Sequence, residues 1–336
     1  MTGQPANPVL AEVVRSGFTE SWHRGSLVVL GADGSAILGL GATDVPIFPR
    51  SSNKPMQATA MLECGLDLPD DRLVALAAAS HSGEKFHVDG VRDILRRAGL
   101  SEADLQCPPD WPLDDAARND LIRAGGERDR IHMNCSGKHS AMLAASVASG
   151  WPARTYRDPE HPLQQRIKAT IESLAGERVT AIGVDGCGAP LMALTLRGLA
   201  SGFSAIVRSK AGSAARRVAD AMRSYPEWMS GTRRYEAALM RAVPGMLMKP
   251  GADGVCAFAL ADGRSGAIKM DDGAQRAVSP VAAALLRQLV THDDGGPDGG
   301  RVPDLHALDE LANAPVFGGG EPVGNIRPIL PSALSG

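Results

Sequence analysis

Apolar positions along the chain repeat with two periods. Residues 9–16 and 27–40 have the alternation of strands, and Ala32-Asp33-Gly34 supplies a hairpin turn inside the second run. Residues 55–66 predict a helix, because Pro55 suits a first turn and Met56, Ala60 and Cys64 recur four apart. Amphipathic helices follow over 84–98, closed by Gly99, and over 136–147 and 162–174. A β-branched run at 179–184 reads as a strand that stops at the turn Asp185-Gly186-Cys187-Gly188. Helices are expected over 191–199 and 214–223, then strands over 246–249, 255–261 and 267–270 with Ala261-Asp262-Gly263 as a hairpin turn. A helix over 280–292 precedes a Gly- and Asp-rich loop at 293–300 that is expected to be mobile. Strands at both ends with helices between them predict an α+β fold whose terminal strands share one sheet.

Composition narrows the class of protein. Of the 336 residues, 44% are hydrophobic and 22% charged, the balance of a soluble globular chain with a substantial core. Only 4% are aromatic, so that core is built from Ala, Leu, Val and Met. A net charge of -3 argues against a general nucleic-acid binder, and Arg216-Arg217 and Arg233-Arg234 read as solvated faces. No run approaches 18 apolar residues, so no membrane span is expected. The polar start of the chain lacks the pattern of a signal peptide. Five scattered cysteines make a poor disulfide framework, and the expected location is the cytoplasm.

Two clusters carry candidate chemistry. In Arg50-Ser51-Ser52-Asn53-Lys54-Pro55, Ser51 and Lys54 stand three apart at a predicted helix start and share a face, whereas Ser52 and Lys54 do not. A serine hydroxyl needs an adjacent base, and a neutral lysine serves where burial or a neighbouring cation disfavours its charge. The bland alternative is a serine cap beside an exposed lysine. In Asn134-Cys135-Ser136-Gly137-Lys138-His139, Cys135 and Lys138 are again three apart, and Cys187 can add a third donor. Thiolates suit zinc, and a neutral lysine offers a lone pair. His139 is the more ordinary ligand type, and distant cysteines are commonly inert core residues.

Taken in order, these motifs resemble the class 3, rhizobial-type thermolabile L-asparaginases, the asparaginase II family. The resemblance runs through Ser16–Ser21 with His23-Arg24-Gly25, through 48–55, through Ala79-Ser80-His81-Ser82-Gly83-Glu84, through 133–139 and through 184–190. Lys249, ahead of Gly251-Ala252-Asp253-Gly254-Val255, occupies the place of a further family lysine. The resemblance implies a fold similar to serine β-lactamases and glutaminases: one α+β catalytic domain over residues 1–336 with a central antiparallel sheet. It implies hydrolysis of L-asparagine to L-aspartate and ammonia through a seryl acyl intermediate. Ser51 with Lys54 is the implied nucleophilic pair, and Ser80 with Lys249 a second pair assisting proton transfer. Cys135, Lys138 and Cys187 are implied to hold a zinc ion that aids substrate binding. For the substrate's α-ammonium and α-carboxylate, the expected partners are Asp185 and Arg50, with His81 shaping the pocket. A homodimer is the implied assembly. Two departures stand out: Trp22 before His23, and Pro250 after Lys249, which removes a backbone donor near a strand end.

Two rival readings remain at this point. One is a related serine amidohydrolase acting on glutamine or a β-lactam-like amide. The other is a non-catalytic, zinc-dependent binding protein that needs the cysteines but not the Ser-Lys pairs.

Overall fold

The structure is a computed structural model that describes residues 6–291 and 302–332. The loop expected at 293–300 lies outside the described residues. Strands among those residues are β1 (Val9–Arg15), β2 (Phe18–Leu30), β3 (Ala36–Leu40), β4 (Ile182–Val184), β5 (Pro190–Met192), β6 (Leu247–Gly251), β7 (Val255–Ala259), β8 (Ser265–Met270), β9 (Ala314–Gly318) and β10 (Glu321–Pro328). The chain divides into two compact units, one formed by residues 1–52, 194–205 and 238–336, the other by 53–193 and 206–237.

The first unit is built on an antiparallel sheet of eight strands in the order β6-β7-β8-β2-β1-β10-β9, with β3 paired to β2. Strands from the two ends of the chain share this sheet: Val13 faces Ile326, and Val28 faces Ala267. β6 and β7 are buried along their whole length, and the helix Val278–Thr291 packs on β7, β8 and β10. Burial on both faces explains why these strands read as apolar runs rather than alternations. Pro250 lies on β6, an edge strand whose outer side forms no ladder among the described residues, so its missing N–H is tolerated there. The mixture of helices with an antiparallel sheet makes the fold α+β, as the pattern of the sequence predicts.

The second unit is mainly helical. Its central helix, Ser136–Ala148, is buried at every position from Ser136 to Ser146, and Lys54–Glu63 is buried from Lys54 to Met61. Helices enclosed on all sides have no solvent-facing polar stripe, so the helix expected over 136–147 is present but the amphipathic character expected of it is corrected. Lys54–Glu63 packs against Pro162–Ala175, Ala214–Ser224, Ser136–Ala148 and Asp71–Ala77. His161 accepts a hydrogen bond from the Leu163 N–H and caps Pro162–Ala175, which ends at Gly176 in the left-handed conformation. The helix expected over 191–199 is corrected. Pro190–Met192 is β5, paired with β4, and the helix starts only at Leu196 and runs to Arg208. A short, fully buried apolar run carries no period that separates strand from helix. Among the described residues no helix is long and apolar enough to cross a membrane.

Candidate functional site

In the second unit, helix starts and one tight turn bring a compact polar cluster into the core. Lys54 is the first residue of Lys54–Glu63, and it is 1% exposed. Its Nζ donates to the Ala79 carbonyl oxygen (2.5 Å), to Ser80 Oγ (2.9 Å) and to Cys135 Sγ (3.1 Å). The three contacts leave the amine no free hydrogen-bonding position. Ser80 is half-buried, and its loop is anchored on both sides: Ser80 N–H donates to the Met229 carbonyl and Ser82 N–H to that of Ser230.

Cys135 caps the start of Ser136–Ala148, and Lys138 lies one turn on, with Lys138 Nζ 3.1 Å from Cys187 Sγ. Cys187 reaches the cluster from the Asp185–Gly188 turn, closed by the Gly188 N–H on the Asp185 carbonyl. Gly188 has φ +81°, a backbone that L side chains rarely adopt, so the turn favours glycine. Mutual electrostatic coupling separates the acidities of Cys135 and Cys187: with burial it raises the Cys135 thiol well above its ordinary range, and against burial, helped by Lys138 and His139, it lowers Cys187 well below its own. Burial opposes charge on Lys138, but Cys187, Cys135 and Asp185 outweigh it and raise the basicity of the amine above its ordinary value.

Two donors around Cys187 lie beyond the expected ligand set. His139 is wholly buried, and its neighbour Tyr156 is buried with it. Nothing in the sequence marks Tyr156, which lies outside every motif. Asp185 is half-buried: Oδ1 accepts from the Gly186 N–H, and Oδ2 lies 3.5 Å from Cys187 Sγ. His81 has no exposure, and its backbone N–H donates to the Asn134 carbonyl. Ser136 Oγ donates to the Ile131 carbonyl and so accepts from His81 Nε2, while His81 Nδ1 accepts from the Gly83 N–H. Both ring nitrogens are thus committed to tying the Ser80 loop to the start of the Cys135 helix. Burial, with His87 and Lys54 nearby, lowers its basicity and keeps the ring neutral.

The remaining expected residues belong to the first unit. Ser51 is half-buried in the 3-10 turn Arg50–Asn53. Ser52 has no exposure and donates to the Pro49 carbonyl (2.6 Å). Arg50 takes a left-handed backbone (φ 52°) and forms an ion pair with Asp253, whose φ is 55°. Lys249 is fully buried on β6, where its Nζ donates to the Pro250 carbonyl (3.1 Å). His23, from the opening motif, bonds Asp272 Oδ2 through Nδ1 (2.6 Å) and accepts from Arg276 Nε through Nε2 (3.0 Å).

As a donor set, Cys135, Lys138 and Cys187 suit a soft, tetrahedral cation. All three side chains are buried, two sulfurs and an amine are donors such a cation takes, and Lys138 Nζ lies 3.1 Å from Cys187 Sγ. Among the described residues no group of three or more His, Cys, Asp and Glu side chains is arranged to hold a metal ion. The trio depends on its lysine.

Comparison with known proteins places these residues in a family context. Solved structures with partial likeness include a β-lactamase from Mycobacterium bovis, at 15% identity over 74% of this chain and 88% of that one, with a TM-score of 0.42. The protein called Mglu gives 16% identity over 82% and 70%, TM-score 0.44. The hydrolase EstCE1 gives 13% over 75% and 90%, TM-score 0.39. No curated protein matches. The family model for L-asparaginase II matches residues 11–328, a span that takes in all ten strands apart from the first two residues of β1. The chain therefore belongs to the L-asparaginase II family.

Proposed function

We propose that the protein is an L-asparagine amidohydrolase working through a seryl acyl intermediate. Family membership supports an amidohydrolase, and the observation that carries the finer reading is the buried Lys54 Nζ bonded to the half-buried Ser80 hydroxyl. As a neutral amine, Lys54 keeps two N–H groups for the Ala79 carbonyl and Cys135 and turns its lone pair to a serine proton. On this reading the family motif makes Ser51, with Lys54, the nucleophilic pair, and Ser80, which Lys54 contacts, works with Lys249 as the second pair. Splitting amide hydrolysis into acylation and deacylation lowers each barrier. Arg50 and Asp185 are the proposed partners of the substrate's α-carboxylate and α-ammonium. His81, with both ring nitrogens committed, acts by holding the Ser80 loop.

Zinc is the proposed cofactor, held by Cys135, Lys138 and Cys187. When bound it would supply positive charge and Lewis acidity that favour binding of the oxygen atoms of a polar, zwitterionic substrate. The whole chain acts as one catalytic entity in this reading, since the family match spans segments of both units. We take the enzyme to be a cytoplasmic homodimer, a location consistent with five free cysteines.

The test is ammonia release from asparagine, glutamine and water-only controls, with a chromogenic β-lactam alongside. Turnover of asparagine well above the other two, with an aspartyl adduct trapped on Ser51 by intact mass and peptide mapping, supports the reading. Preferred turnover of glutamine or the β-lactam, or metal binding with no turnover, overturns it.

A further inference from the structure

Two residues of the first unit hold a backbone that side chains rarely adopt, and they are bonded to each other. Arg50 has φ 52° and Asp253 φ 55°, and Arg50 Nη1 donates to Asp253 Oδ2. Asp tolerates the left-handed region, whereas a long side chain such as that of Arg50 enters it only where its surroundings impose it. The ion pair does not impose it. The two side chains are 24% and 62% exposed, and a pair so open to water adds little to stability.

The imposing contacts come from the backbone. Arg50 opens the 3-10 turn Arg50–Asn53, and Asp253 lies in the turn between β6 and β7, where Gly251 faces Val255. The two turns are pressed together at Gly251. A Cβ there would clash with the Pro49 carbonyl oxygen and press on Arg50 Cβ (3.3 Å), so the close approach needs glycine. The β6–β7 turn is itself pinned: Lys269 Nζ donates to the Asp253 carbonyl (2.7 Å), and Gln275 Nε2 donates to that of Gly251 (2.7 Å). The hairpin that carries Lys249 therefore fixes where the Asp253 carboxylate stands, and with it the Arg50 guanidinium. A long, flexible side chain loses affinity for every rotamer it gives up on binding, and a fixed partner on one nitrogen removes that loss beforehand.

We propose that Asp253 is a positioning residue for Arg50: the β6–β7 turn holds the guanidinium by Nη1, so that it stands preset to receive the carboxylate of an α-amino acid substrate. Backbone strain stored at a ligand clamp is the structural counterpart of such preorganisation. The inference rests on the reading of Arg50 as the partner of the substrate's α-carboxylate. It adds what orients Arg50 and why a salt bridge of little worth to stability joins two left-handed residues.

The test uses the full chain with Asp253→Gly, Asp253→Asn, Arg50→Ala and the double variant Arg50→Ala/Asp253→Gly, each checked by circular dichroism and melting. Glycine accepts φ 55° without strain, so Asp253→Gly removes the carboxylate and keeps the turn. Steady-state kinetics are measured with L-asparagine and with its α-methylamide, which has no carboxylate. Asp253→Gly is expected to raise KM for asparagine by about 10-fold while kcat stays within about two-fold of wild type. Its preference for asparagine over the α-methylamide falls by about the same factor. Asp253→Asn keeps an acceptor oxygen but not the charge, and its KM lies between the two. In the Arg50→Ala background Asp253→Gly has no further effect, because the residue it orients is gone. An unchanged KM in Asp253→Gly makes Asp253 a turn residue and overturns the proposal. A lowered KM, which makes Asp253 a competitor for Arg50, overturns it too, as does a double variant in which the two effects add. Wild-type KM in Arg50→Ala overturns the carboxylate reading of Arg50, and this inference with it. A raised KM in Arg50→Ala beside an unchanged one in Asp253→Gly leaves that reading standing and overturns this inference alone. A wild type without turnover of asparagine overturns both. Should Asp253→Gly fail to fold, Asp253→Asn decides by the same comparison.

Discussion

Lys54 brings an amine into the core, where an unpartnered polar group is costly, and places it within hydrogen-bond reach of the Ala79 carbonyl, Ser80 and Cys135. Nothing in a Ser-x-x-Lys spacing shows this, because lysine is ordinarily exposed and Ser80 and Cys135 lie far along the chain. The sequence motifs did mark both Lys54 and Ser80, but their direct contact is a product of the folded chain. Ser51 and Ser52 separate at the same scale. Ser52 has its hydroxyl bonded to the Pro49 carbonyl and no exposure, so it is a structural residue. Ser52→Ala is expected to lose about 1 kcal/mol of stability and keep most of its turnover, whereas Ser51→Ala keeps its stability and loses turnover. Denaturant melts paired with ammonia assays check this, and equal near-complete inactivation of two folded variants would refute the distinction. For the cysteines, Cys135→Ala and Cys187→Ala should each abolish zinc retention and raise KM more than they lower kcat. Elemental analysis of zinc-loaded, dialysed protein measures the first effect and steady-state kinetics the second.

Elements were legible in proportion to how strongly each one buries a single face. The helix Lys85–Arg97 sets His87, Val88, Val91, Ile94 and Leu95 inward, and the sequence pattern shows it to within a residue at each end. Asp115–Arg123 buries nothing and went unpredicted, as did Asp71–Ala77 and Leu305–Ala312, both only two turns long. β9 and β10 escaped notice because they are largely exposed and carry Pro315, Pro322 and Pro328. Between elements, Glu84 ties two loops of the second unit together. Its carboxylate accepts from Ser82 Oγ (2.7 Å), Thr232 Oγ1 (2.6 Å) and the Thr232 N–H (3.0 Å). Burial pushes this carboxyl up, but the bonds from Thr232 and Ser82 prevail and leave it below its ordinary value of 4.5. A depressed carboxyl stabilises the fold above its unfolded value, and that stabilisation is lost as pH falls through the folded one. Glu84→Gln should therefore lower stability at neutral pH, by about 1 kcal/mol once solvent screening is allowed for. The gap to wild type should close as the medium is acidified below about pH 4.5. Thermal melts across that range decide it, since a gap independent of pH would mean that charge on Glu84 plays no part.

At the scale of the whole molecule, the connectivity of the sheet governs how the chain can be cut. Neither compact unit is a continuous stretch, because the chain leaves and re-enters each of them. The first unit completes its sheet only when the two ends meet: β1 hydrogen-bonds to β2 on one side and to β10 on the other. The sequence pattern already pointed to early and late strands in one sheet, from the signals at residues 9–40 and 246–270, although β9 and β10 were not among them. It did not show the order, which depends on pairings such as Ala11 with Pro328, far apart in sequence. A truncation after Ala312 removes β9 and β10 and turns β1 into an edge. Leu10, Ala11, Val13 and Val14, at most 2% exposed in the intact chain, then flank a row of unpaired backbone groups. Exposed edges of this kind template further strand pairing. The truncated chain is expected to sediment as aggregates, while one ending after Pro328 keeps every β1–β10 pair and stays dispersed. The soluble fraction after expression, followed by light scattering, measures the difference. Equal dispersal of both chains would show that β1 is protected without β10, and that the sheet does not need the two ends to meet.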